Sequence, residues 1–147
     1  MSTTLSSCLK SYFRIFGTGS TTTTTAARNL FAEANFAQRT SQGTNITYNA
    51  VNNQIVFGNT GTRYFEVLFM GAVSTTSASQ SVTVSIVVGG VTQKSMTTFV
   101  SSANSSRQVA LYGVYSCTNG TTLQINYAGG TNVYVASGSS VIVRFIS

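Results

Sequence analysis

Only two carboxylates, Glu33 and Glu66, occur in the 147 residues, and there is no histidine and no aspartate. That shortage removes most hydrolytic and transfer chemistry. A Ser–His–Asp triad, a Cys–His pair and a histidine-based metal centre each lack a required group. A general acid/base pair would have to unite Glu33 with Glu66. Glu66, however, sits among apolar neighbours in GTRYFEVLFMG, where pairing with Arg63 or Arg144 is the better use of its charge. A calcium cage needs carboxylate oxygens that the chain does not supply. GTGS at Gly17 and VVGGV at Gly89 lack the lysine and the following helix of a phosphate loop. The sequence predicts a protein that is not an enzyme and that holds neither metal nor cofactor.

The remaining side chains point to surfaces rather than reactions. Charged residues make up 7% and hydrophobic ones 42%, so charge-driven disorder is not expected. The polar fraction is mostly Ser, Thr, Asn and Gln, which suit strands and turns and fit poorly inside helices. Proline is absent, so turns rest on Gly and Asn. The length suits one domain with a proper core. The net charge of +6 comes from scattered cations and missing acids. With no basic cluster or recognition motif, nucleic acid is not expected as the main partner. Cys8 and Cys117 make no disulfide framework and are expected as free thiols. No apolar run is long enough to span a membrane, and no secretory signal is visible.

The stretch Gly61–Gly71 organises the rest. Phe65, Val67 and Phe69 share one face of a strand; Tyr64, Leu68 and Met70 share the other, interrupted by Glu66. A strand apolar on both sides must be covered on both sides, once by the domain's own core and once by a second layer. Around it, short strands are expected at 45–48 and 54–57, a one-sided strand at 82–88, and a Gly89-Gly90 hairpin returning through 91–100. Arg107–Tyr115 follows, with Val109, Leu111 and Tyr115 inward and Tyr112 and Val114 outward. Turns at Asn119-Gly120 and Gly129-Gly130 lead to strands at 123–127 and 133–135. The closing strand VIVRFI sets Ile142 and Arg144 on the face opposite Val141, Val143 and Phe145. The expected fold is an all-β antiparallel jelly-roll sandwich of about eight to ten strands.

The N-terminus reads differently. Leu5, Leu9, Tyr12 and Phe16 recur at spacings of four, three and four, with Phe13 and Ile15 beside them. This fits a short amphipathic helix or an extended arm. A Thr-rich tether follows, so residues 1–25 are expected as an anchoring arm and residues 26–147 as the head. Ala26–Gln38 is open to a helical turn or to a first strand with Phe31 and Phe36 in the core.

GTRYFEVLF, then VTVSIVVGG ending in a hairpin, then NGTTLQI, then SGSSVIVRFI resembles the jelly-roll heads related to tumour necrosis factor and the globular complement heads. It is also similar to the heads at the tips of collagen-like spore-surface proteins. The resemblance runs from about Asn45 to Ser147. Two features depart from it: Asn119-Gly120-Thr121 lacks the acid often found at that turn, and no Gly-x-y stalk precedes the head. The resemblance implies a homotrimer packed about a threefold axis, with Tyr64, Glu66, Leu68 and Met70 at the interface together with Tyr112, Ile142 and Arg144. Arg144 needs an acceptor there, and Glu66 is the expected one.

Two functions fit. One is a structural protein of a virus particle (a decoration, minor capsid or fibre-base protein), located in the virion and assembled in the host cytoplasm. Its arm would fasten the head to other capsid proteins through Leu5, Leu9, Tyr12, Phe13 and Phe16. The other is a carbohydrate- or receptor-binding head on a spore or cell surface, using loops 73–81 and 101–106 with Tyr112 and Tyr134.

Overall fold

A computed structural model describes residues 12–17, 26–36, 38–129 and 133–146. Among these, two antiparallel sheets pack face to face as a jelly-roll sandwich, and no α-helix is present. The first sheet contains β1 (Tyr12–Phe16), β3 (Gln38–Gln42), β6 (Arg63–Thr75), β9 (Arg107–Cys117), β11 (Val133–Val135) and β12 (Ser140–Phe145). The second contains β2 (Arg28–Asn29), β4 (Ile46–Asn49), β5 (Gln54–Phe57), β7 (Gln80–Val88), β8 (Val91–Val100) and β10 (Thr122–Gly129).

β6 is the longest strand at 13 residues, and its alternation decides the first sheet. One edge pairs with β9 from Arg63 to Val73; the other takes β12 along Phe65–Met70 and then β11 along Val73–Thr75. Between β12 and β11 the chain makes a short excursion, and the Ser139 hydroxyl accepts from the Ala72 N–H at 3.2 Å. Gly71 faces it, and a Cβ there would fall on the Ser139 hydroxyl. The second sheet runs β4–β5–β10–β7–β8. Its β7–β8 hairpin turns at Gly89 and Gly90, whose φ values of 59° and 80° suit the primed turns that two-residue hairpins require.

The core lies between the sheets. Phe65, Val67, Phe69 and Val73 of β6 and Val82, Val84 and Ile86 of β7 are buried. Phe57 of β5 meets Phe65 of β6 with ring centroids 4.2 Å apart, joining one sheet to the other. Ala26–Phe36 adds two strand residues and one 3-10 turn, with Leu30, Phe31 and Phe36 buried. Glu33 holds that turn in place. Its carboxylate takes the Arg28 Nε at 2.8 Å and the Tyr127 hydroxyl at 2.9 Å. The only other acid, Glu66, projects from the far side of the first sheet, so an acid/base pair of the two is ruled out by topology.

The expected boundary after residue 25 moves. Of the two expected forms YFRIF takes the extended one, not as a separate arm but as β1, inserted between β12 and β3. Phe13 and Ile15 enter the core because strand alternation, rather than the four–three–four spacing, governs this stretch. Phe13 also stacks on Tyr48 at 6.0 Å. Leu5, Leu9 and the Thr run lie outside the described residues. Phe13→Ala should therefore destabilise the head by about 3–5 kcal/mol in a urea titration. Deleting residues 1–25 should lower the thermal transition sharply, since β3 loses the strand it pairs with, β12 keeps only β6, and the core loses Phe13 and Ile15.

Candidate functional site

The outward face of the first sheet gathers the side chains that the core does not use. Cross-strand register arranges them in rows. The central row is Thr40, Arg14, Ile142, Leu68 and Tyr112, contributed by β3, β1, β12, β6 and β9. On one side lie Gln42, Tyr12, Arg144, Glu66 and Val114; on the other, Gln38, Phe16, Ser140, Met70 and Ala110. Tyr64 pairs with Ser116 beyond Glu66, and the Ile146 N–H donates to the Tyr64 carbonyl at 3.0 Å. Met70 is 55% exposed, Tyr64 49%, Tyr112 48% and Val114 44%, so four large apolar or aromatic side chains meet solvent on one face. Leu68 and Ile142 are half-buried between them.

One charged network interrupts this surface. The Tyr112 hydroxyl donates to Glu66 Oε2 at 2.7 Å, and the Arg144 Nε donates to Glu66 Oε1. The Tyr112 hydroxyl above all holds the Glu66 carboxyl below its ordinary range; burial opposes it, and the hydrogen bond and charge of Arg144 add to the lowering. The Tyr112 phenol is pushed up, first by its hydrogen bond to Glu66. The Arg144 side chain is 60% exposed and that of Glu66 15%, so in the isolated chain water screens much of the attraction. The Lys94 ammonium, from the neighbouring sheet edge, donates to the Tyr112 backbone carbonyl at 2.8 Å.

Tyr64, Glu66, Leu68, Met70, Tyr112, Ile142 and Arg144 thus share one face, and Glu66 and Arg144 are direct cross-strand partners as expected. Of the expected anchoring residues, Tyr12 and Phe16 lie on this same face and Phe13 lies in the core. Arg14 and Val114 belong to the face as well; alternation within YFRIF and LYGVY was the signal for both. The loop surface weighed as an alternative converges only in part. Ser74 and Thr75 are buried at the end of β6, and the Ser74 hydroxyl donates to the Ser105 carbonyl at 2.7 Å. Tyr134 pairs with Ser74 there, whereas Tyr112 stands mid-strand on the sheet face. Cys117 is buried, with its thiol 3.5 Å from the Asn59 Oδ1. Among the described residues no group of metal-ligating side chains occurs, and no helix is long and apolar enough to cross a membrane.

These two sheets, with the strand order given above, define a tumour-necrosis-factor-like jelly roll. Among solved structures the chain is similar to Eiger TNF from S. frugiperda, with a TM-score of 0.63, 8% identity and 92% of each chain covered. Murine APRIL superposes with a TM-score of 0.61 at 9% identity, covering 91% of this chain and 98% of that one. The PRD1 vertex protein P5 matches with a TM-score of 0.51 at 11% identity, covering 95% of this chain and 99% of that one. No family model matches the sequence, and no curated protein aligns with it. Identities this low show the fold alone.

Tyr112→Phe tests the hydrogen bond at the centre of the face. Glu66 has a depressed pKa, so its ionised form adds stability above the unfolded carboxylate pKa and loses it as pH falls through the lower folded value. Without the phenol, the Glu66 carboxyl should titrate at higher pH, nearer an ordinary glutamate, in a carbon-detected NMR titration. An unchanged titration would show that the hydroxyl does not hold the carboxylate.

Proposed function

We propose that the chain is the head of a homotrimeric structural protein of a virus particle, joined through the outward face of the first sheet. The observation that carries this reading is the row of exposed Tyr64, Met70, Tyr112 and Val114 around Leu68 and Ile142. A monomer would leave that contiguous surface in water, which soluble monomers rarely do. The likeness in fold to the PRD1 vertex protein supports the viral setting. The two glutamates also support it, since each is committed to a cation and a tyrosine, leaving no carboxylate pair for catalysis. With β1 inside the head, the anchoring segment contracts to residues 1–11, where Leu5 and Leu9 are the residues that would fasten it to other capsid proteins.

Sedimentation equilibrium at micromolar concentration should give three times the chain mass at neutral pH. Leu68→Asp, at the centre of the face, should give a folded monomer. A wild-type monomer would remove the assembly from this reading. Deleting residues 1–11 should leave the trimer and its thermal transition within a few degrees of wild type while blocking incorporation into particles.

A further inference from the structure

The face proposed to join subunits carries a single counter-charge. Among the described residues Glu66 is the only acidic side chain on it, because the other acid, Glu33, is buried against Arg28 and Tyr127 of the second sheet. The groups that face Glu66 are few. Arg144 of β12 and Tyr112 of β9 bond to it, Val114 of β9 lies opposite, and Tyr64 precedes it by one turn of the pleat. On β1, Tyr12 adjoins Arg144 and Arg14 adjoins Ile142; on β3, Gln42 and Thr40 are uncharged. Lys94 of β8 reaches the Tyr112 carbonyl, and among these groups Glu66 is the one whose charge changes between neutral and acid pH.

We propose that this network makes subunit assembly acid-labile, Glu66 holding the trimer together only while it is ionised. The inference rests on the trimeric reading above and assigns its regulation. In the separate chain Arg144 is largely in water, so losing its partner matters little. Once a second copy covers the face, that water is withdrawn, and the same arginine without a carboxylate becomes an uncompensated charge among Leu68, Ile142 and Val114. Proton uptake by Glu66 also removes the strongest acceptor of the Tyr112 hydroxyl. Association thus favours the ionised carboxylate, and by linkage acid favours separation.

The test uses the full chain in sedimentation experiments from neutral to acid pH, with near-ultraviolet circular dichroism reporting whether each subunit stays folded. Wild type should pass from trimer to folded subunits as pH falls below the ordinary carboxylate range. Glu66→Gln should reproduce that weakening at neutral pH, raising the midpoint concentration of assembly by about tenfold or more. A Glu66→Leu/Arg144→Leu double variant should remain trimeric at the acid pH that separates wild type. The inference is overturned if Glu66→Gln assembles as tightly as wild type, or if the double variant separates in acid just as wild type does. Either result leaves the neutral-pH trimer intact, whereas a wild-type monomer at neutral pH overturns the trimeric reading together with it.

Discussion

Strand β6 is apolar on both of its faces, and a single sandwich can bury only one of them. Phe65, Val67 and Phe69 go inward with no measurable exposure, and full burial of such a side chain contributes about 1.5–3 kcal/mol. That choice fixes everything paired with β6. Inward Val67 and Phe69 demand inward Val143 and Val141 on β12, and those in turn set Phe13 and Ile15 inward on β1. The same register throws Leu68, Ile142 and Arg14 outward as a row. The outer face is therefore a consequence of the core, because a one-residue slip of any strand would exchange the two.

A chain with two acids must close its edges by other means than ion pairs. On one flank the edge strands β8 and β9 are stitched reciprocally. Lys94 of β8 donates to the Tyr112 carbonyl of β9 at 2.8 Å, and Arg107 of β9 donates to the Phe99 carbonyl of β8 at 3.2 Å. Cations on edge strands also discourage pairing with a foreign strand. On the other flank Arg39 of β3 lies 3.7 Å from the ring centroid of Tyr48 on β4, a cation–π contact that needs no carboxylate. The positive charge that in the sequence alone looks like a simple surplus is thus partly structural, spent on carbonyl oxygens and aromatic faces.

Period-two patterning made most of this architecture readable, since it depends only on neighbouring residues. Val82–Val88, the Gly89-Gly90 turn and Val91–Val100 form the hairpin that their alternation and glycines describe. The partnership of Arg144 with Glu66 was legible for a different reason: so few acids leave few acceptors. What local pattern does not carry is which distant strand lies alongside. Nothing in YFRIF states that β12 and β3 flank it, and its apolar residues satisfy a helical spacing as well as a strand's. Register between remote strands is set by the filled core, a property of the whole chain. Alternation alone turns Arg14 and Val114 outward, but which residues stand beside them, Thr40 and Ile142 for the one and Glu66 for the other, follows from the register between remote strands.

A hydrogen-bonded ion pair amid Tyr64, Leu68, Met70, Val114 and Ile142 is hard to justify by stability alone. Well-packed apolar residues in place of a covered ion pair are often as stable or more so. Its physical effect is on which arrangements are tolerated. Flat, apolar sheet faces adhere to many surfaces with little preference for register. With Glu66, Arg144 and Tyr112 at the centre, a covering surface that leaves the trio intact keeps every polar group satisfied. One that displaces a member strands a charge, at several times the penalty of a lost apolar contact. The trio thus penalises wrong partners more than it strengthens the right one, which is how specificity differs from affinity.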